Sequence, residues 1–210
     1  HNKGPCMVIA GPGSGKTTVL THRVRYLIER YGVNPSDILV ITFTKAAAEQ
    51  MKLKFKGLSE GRSSAVTFGT FHAVFFTILK AAYNYSAHCI IKPQIQHEFV
   101  KDQLCRLELE YDDEKEAVAG VLSEISRVKG EAVNIDEYES RSIPPQSFRM
   151  IYRAYDDMLL RKHLIDFDDM IVLCRDLLMQ REDYRMAWQN KYKYILIDEF
   201  QDINKAQFDV

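Results

Sequence analysis

CMVIAGPGSGKTT, residues Cys6–Thr18, is a short apolar run, then a glycine-rich turn, then Lys16, Thr17 and Thr18 opening an amphipathic segment. Strand, loop and helix in that order make the phosphate-binding loop arrangement. The residue types follow from the chemistry. Gly11, Gly13 and Gly15 permit backbone conformations that a Cβ forbids, so successive N–H groups, with Ser14 among them, can turn inward around an anion. The N-terminus of the following helix adds unpaired donors and partial positive charge. Lys16 is placed to reach the β- and γ-phosphates, and the Thr17 hydroxyl to ligate a magnesium ion. Ala10 stands where the strict pattern has its first glycine, and it is small enough to serve.

Working outward, 210 residues suffice for one large or two modest domains. With 46% hydrophobic and 27% charged residues the composition is that of a globular protein. No apolar run approaches the ~20 residues of a membrane span, and the first apolar run is too short for a signal peptide. A cytoplasmic location is therefore expected. Cys6, Cys89, Cys105 and Cys174 form no CxxC pair, and are expected as reduced core thiols. The net charge of −1 conceals an asymmetry. Residues 1–92 hold 12 Lys and Arg against 4 Asp and Glu, whereas residues 93–210 hold 16 against 25. A basic first part keeps nucleic acid in view as a partner.

After the loop, Leu20, Val24, Leu27, Ile28 and Tyr31 recur at helical spacing, with Gly32 as a stop. Asn34–Asp37 reads as a turn, and Ile38–Phe43 as a buried parallel strand. Thr44 can cap a helix running to about Phe55 and ended by Gly57. A polar loop, Ser59–Ser64, precedes a third strand at Ala65–Phe68. Gly69 and Thr70 then open a helix containing Phe71, Phe75, Ile78 and Leu79. This alternation predicts a doubly wound α/β parallel sheet. From about Ser86 the pattern changes, and Ile95–Glu110, Asp113–Val128 and Pro144–His163 read as helices. They predict a helical insertion, residues 89–163, within a sheet domain made of residues 1–88 and 164–210. Asp166 reads as the N-cap of a helix over Phe167–Met179, and a short helix follows around Asp183–Gln189. Tyr194–Ile197 returns to the sheet.

That last strand ends in adjacent acids, ILIDEF. Parallel strands end at a common edge, so Asp198 is expected beside the loop. There one carboxylate can hold magnesium while the next, Glu199, orients and deprotonates a water. An acidic, solvated strand end is the bland reading of the same residues; their pairing with the loop favours hydrolysis of ATP.

Five segments together carry a family resemblance: AGPGSGKT (Ala10–Thr17), ITFTKAAAEQM (Ile41–Met51), GTFHA (Gly69–Ala73), DFDDM (Asp166–Met170) and DEFQD (Asp198–Asp202). In this order they resemble the UvrD/Rep/PcrA-like DNA helicases of superfamily 1, motors that use ATP to move along single-stranded DNA, usually 3′ to 5′, and open duplex in repair and replication. The resemblance implies a RecA-like sheet domain with an inserted helical subdomain, ATP and Mg2+ as cofactors, and DNA at a single-strand/duplex junction as partner. It implies Lys16 on the phosphates, Thr17 and Asp198 on magnesium, Glu199 as base and Gln201 as γ-phosphate sensor. It further implies DNA contacts from Thr42, Phe43 and Thr44, where the phenylalanine stacks on a base without regard to sequence, and from Thr70 and His72. Without the resemblance, Phe43 reads as core and His72 as a helix-surface residue. Asp168 and Asp169 read as packing or capping residues.

The chain also departs from the family's pattern. The glutamine motif that reads adenine in relatives is not present ahead of the loop, and Thr18 stands where many relatives place an arginine. Lys45 and Ala46 resemble the AddA/RecB-like branch more closely. The later motifs, with the arginines of a second RecA-like domain, do not follow DEFQD. The expectation is an N-terminal part of a longer helicase, weakly active by itself, which the rest of that chain completes. A nucleotide-switched DNA-binding module and a phosphotransferase are the competing classes.

Overall fold

Helical spacing after the loop produces α1 (Lys16–Tyr31) in a computed structural model that describes residues 4–11, 13–59 and 65–210. Gly32 ends it in the left-handed conformation, its N–H and that of Val33 returning to the carbonyls of Ile28 and Leu27. Asn34 caps a 3-10 turn over Pro35–Asp37 through a bond from Ser36 N, and the chain enters β1 (Ile38–Thr42). Thr44 Oγ1 accepts from Ala47 N and starts α2 (Lys45–Leu58). Gly57 lies inside α2 and does not terminate it; one glycine costs a helix only about 1 kcal/mol, and the Phe55 side chain anchors this turn in the core. Residues 60–64 of the predicted polar loop fall outside the described residues. The strand expected at Ala65–Phe68 is displaced, as β2 (Thr67–Thr70), and α3 (Phe71–Ala82) follows at once.

Then come α4 (Pro93–Arg106), α5 (Glu114–Gly130), α6 (Pro145–Arg161), α7 (Phe167–Gln180), α8 (Glu182–Lys191), β3 (Tyr194–Ile197) and α9 (Lys205–Asp209). The chain divides into two compact units: His1–Val74 with Met179–Ile203, and Phe75–Leu178 with Asn204–Val210.

In the first unit the sheet is parallel with order β2-β1-β3. All five residues of β1 are buried, which explains why its sequence shows no polar alternation. Ile38 and Val40 meet Val24 and Leu27 of α1 and Met51 and Phe55 of α2 in one core. The sheet is smaller than expected. The predicted strand ahead of the glycine-rich loop is not formed: residues 5–11 carry no strand, and Met7, Val8 and Ile9 are 71%, 70% and 91% exposed. An extended segment becomes a strand only with a ladder partner and a covered face. The described residues offer this one neither, and β3 remains a sheet edge with Ile195 exposed.

The second unit is built on α4, α5 and α6, whose Val100, Leu104, Val118, Val121, Ile125, Phe148, Ile151 and Tyr155 share one core. A buried ionic cluster ties its helices. Lys129 near the end of α5 meets Asp156 of α6 at 3.2 Å, Asp166 at 2.9 Å and Asp169 at 2.7 Å. Asp166 and Asp169 also cap α7 reciprocally, each side chain accepting the other's backbone N–H, so the predicted N-cap is present. The Tyr155 hydroxyl donates to Asp166 and accepts from Gln96. Of the cysteines expected in the core only Cys174 is buried; Cys6 and Cys105 are exposed and Cys89 is half-buried. No described helix is long and apolar enough to cross a membrane.

Elsewhere in this unit, Glu124 Oε1 accepts from the N–H groups of Arg141 and Ser142 and from Ser142 Oγ. Facing that clasp is Gly120, where a Cβ would lie 2.7 Å from Ser142 Oγ. Gly120→Ala is expected to lower stability by about 1–2 kcal/mol, overpacking outweighing the gain in helix propensity. In a Ser142→Gly background the same change should instead raise the melting temperature, and thermal denaturation of the four chains measures both signs.

Candidate active site

The register fixes which residues crowd the C-terminal edge of the sheet. Ile41 lies opposite Ile197, and Thr42 opposite Thr70. The Asp198 N–H still donates to Ile41 O at 2.9 Å, so the ladder runs right up to the acids. Glu199 then turns into the left-handed region, φ 51°, ψ 45°, a conformation that costs a non-glycine residue about 1–2 kcal/mol. This turn brings its carboxylate to the loop: Lys16 Nζ donates to Glu199 Oε2 at 3.1 Å. Two groups 183 positions apart thus meet. The same oxygen accepts from Gln201 Nε2 at 2.6 Å.

These contacts set the proton affinities. Hydrogen bonds from Gln201 and Lys16 hold the Glu199 carboxyl below the usual carboxylate range. Asp198 moves the other way, raised by its burial and by the adjacent charge of Glu199. The two neighbouring acids thus differ in proton affinity, Glu199 being the more acidic and Asp198 the less.

On the loop side, Gly13 and Gly15 adopt positive φ, 73° and 85°. Gly11 does not, so its glycine is not demanded by backbone conformation, although its carbonyl accepts from both Ser14 N and Ser14 Oγ. Gly15 is the N-cap of α1, and no side chain caps this end, which leaves the first-turn amides of Lys16, Thr17 and Thr18 directed toward the loop. Lys16 and Thr17 are half-buried, Thr18 exposed.

The expected DNA-contacting residues divide. Thr42 is only 3% exposed. Its hydroxyl is therefore shut away from any external strand, because it belongs to β1 with both faces covered. Phe43 lies just past the strand end, half-buried, its ring inclined at 64° to that of Phe71 with the centroids 5.6 Å apart. Phe71 was not singled out in the sequence; the aromatic at the opening of the TFH segment was the available signal. Thr44 is exposed and caps α2. Thr70 Oγ1 accepts from Ala73 N at the start of α3. His72 follows in the first turn of that helix, and burial lowers its pKa below the usual imidazole value.

A glycine-rich loop, a helix N-terminus and a lysine–carboxylate pair are gathered at the end of parallel strands in a mixed α/β protein. The family described as the UvrD/REP helicase N-terminal domain matches residues 1–210, and the chain belongs to it. It is 34% identical to the probable DNA helicase II homolog of Mycoplasma capricolum, over 98% of this chain and 30% of that protein. It is equally similar, at 34%, to the ATP-dependent DNA helicase PcrA of Staphylococcus epidermidis and of Staphylococcus aureus, over 98% of this chain and 29% of theirs. The chain thus spans less than a third of the length of these relatives.

Proposed function

We propose that the chain is the ATP-binding N-terminal part of an ATP-dependent DNA helicase. In this reading residues 1–88 and 164–210 form a RecA-like domain, residues 89–163 an inserted helical subdomain, and a second RecA-like domain completes the enzyme. The observation that carries it is the meeting of Lys16 with Glu199 at 3.1 Å.

Each residue has a task. Gly13, Ser14, Gly15 and Lys16 cradle the phosphates, with the first-turn amides of α1 behind them. Lys16 offsets charge on the transferring group. Glu199 accepts a proton from the attacking water, and Gln201, bonded to the same carboxylate, fixes its direction and links it to the state of the γ-phosphate. The Thr17 hydroxyl and Asp198 carboxylate are hard oxygen donors that would hold Mg2+. Asp198 fits this well, since the acidity it loses to burial and to Glu199 is what a cation restores. When bound, the ion neutralises phosphate charge. Single-stranded DNA would run over the sheet edge past Phe43, Thr44, Thr70 and His72. The half-buried Phe43 ring, packed against Phe71, is of the kind on which any base can stack.

Fluorescence anisotropy with oligo-dT tests the DNA part. Phe43→Ala should weaken binding by roughly 5- to 150-fold, corresponding to ~1–3 kcal/mol per stacked base, and the binding should fall with salt. Equal affinity of the two chains would remove Phe43 from the interface. Absence of any binding at low salt would leave the sheet edge without a DNA role.

A further inference from the structure

We propose that Glu199 is an internal stand-in for a phosphate oxygen on Lys16, so that a polyphosphate enters the loop by exchange and releases the carboxylate as it does so. This rests on the reading of the loop as a nucleotide site.

The geometry supports exchange over simple neighbourhood. Glu199 Oε2 accepts from the Lys16 ammonium at 3.1 Å, within the ordinary range of an N–H···O bond. A phosphate oxygen is the same kind of acceptor. The backbone of Glu199 is held at φ 51°, against the preference of a residue with a Cβ, and the carboxylate that results reaches the loop lysine. Gln201 Nε2 holds the same oxygen at 2.6 Å, so a carboxylate that loses Lys16 keeps one tether and does not swing free.

Both side chains are about one-third exposed, 32% and 35%, and a screened pair of this kind changes an equilibrium by no more than about fivefold.

The test is isothermal titration of the magnesium-free chain with ADP and with pyrophosphate at fixed ionic strength. Glu199→Gln removes the competing charge at constant shape and should bind both probes two- to fivefold more tightly. Asp202→Asn removes an equal charge from an exposed neighbour that also accepts from Gln201, and should leave both affinities unchanged. Equal tightening in the two variants would mean bulk charge is responsible and would overturn the proposal. So would unchanged or weaker binding in Glu199→Gln, while Lys16-dependent binding in that experiment would leave the nucleotide site standing. Binding undetectable in the parent chain and in every variant would overturn both.

Discussion

A Lys129→Met chain is expected to lose about 3–5 kcal/mol of stability, read as a lower urea midpoint at pH 7. The magnitude is that of leaving buried charges without their counter-ion. Lys129 is 4% exposed on its side chain and is the shared cation of Asp156, Asp166 and Asp169. Burial opposes its charge, but the three carboxylates outweigh this and hold the ammonium protonated above its usual range. Methionine fills a similar volume, so the loss reports charge more than packing.

The pH dependence separates this account from a packing defect. In the parent chain Asp169 is pushed up to about 6 by burial and by the charge of Asp166. A carboxyl raised on folding stabilises in its protonated form, so its contribution is complete below its usual value of 3.8 and is lost as pH rises through about 6. Without Lys129, whose charge holds it down, the Asp169 carboxyl is raised further. The destabilisation should therefore shrink as pH falls from 7 to 5. A loss that stays constant over that window would assign Lys129 a packing role instead.

Much of the fold was legible because local and global signals agree. Gly32, Thr44 and Asp166 each sit where backbone chemistry requires a stop or a cap, and each performs that task. The four consecutive apolar residues Ile38–Ile41 of β1 announced a strand covered on both faces. The misreadings came where a local pattern needs a distant partner. Met7–Ile9 has strand composition, yet no ladder forms beside it among the described residues. Gly57 has the composition of a stop, yet the anchored ring of Phe55 carries the helix past it. The family resemblance implies a DNA contact for Thr42, yet it is only 3% exposed, in a strand covered on both faces. Lys129 gave no sign at all, because its three partners come from α6, the cap of α7 and α7 itself, 27 to 40 positions away.

The site was more legible than the sheet around it. Gly13, Gly15 and Lys16 are adjacent in sequence, and Asp198 and Glu199 end a recognisable strand, so a parallel sheet had only to bring two short segments to one edge. What sequence could not supply was the left-handed turn at Glu199, which aims the carboxylate at the lysine.

That convergence is the claim on which the rest stands, and Lys16→Ala tests it most directly. With a nonhydrolysable ATP analogue and magnesium, calorimetric titration should show affinity falling at least roughly tenfold and up to about 150-fold. This corresponds to the ~1.5–3 kcal/mol of a hydrogen bond to a charged group. The Lys16 side chain is 32% exposed, so the melting temperature should barely move. Retention of the parent affinity by a folded Lys16→Ala chain would contradict the account and place the nucleotide elsewhere.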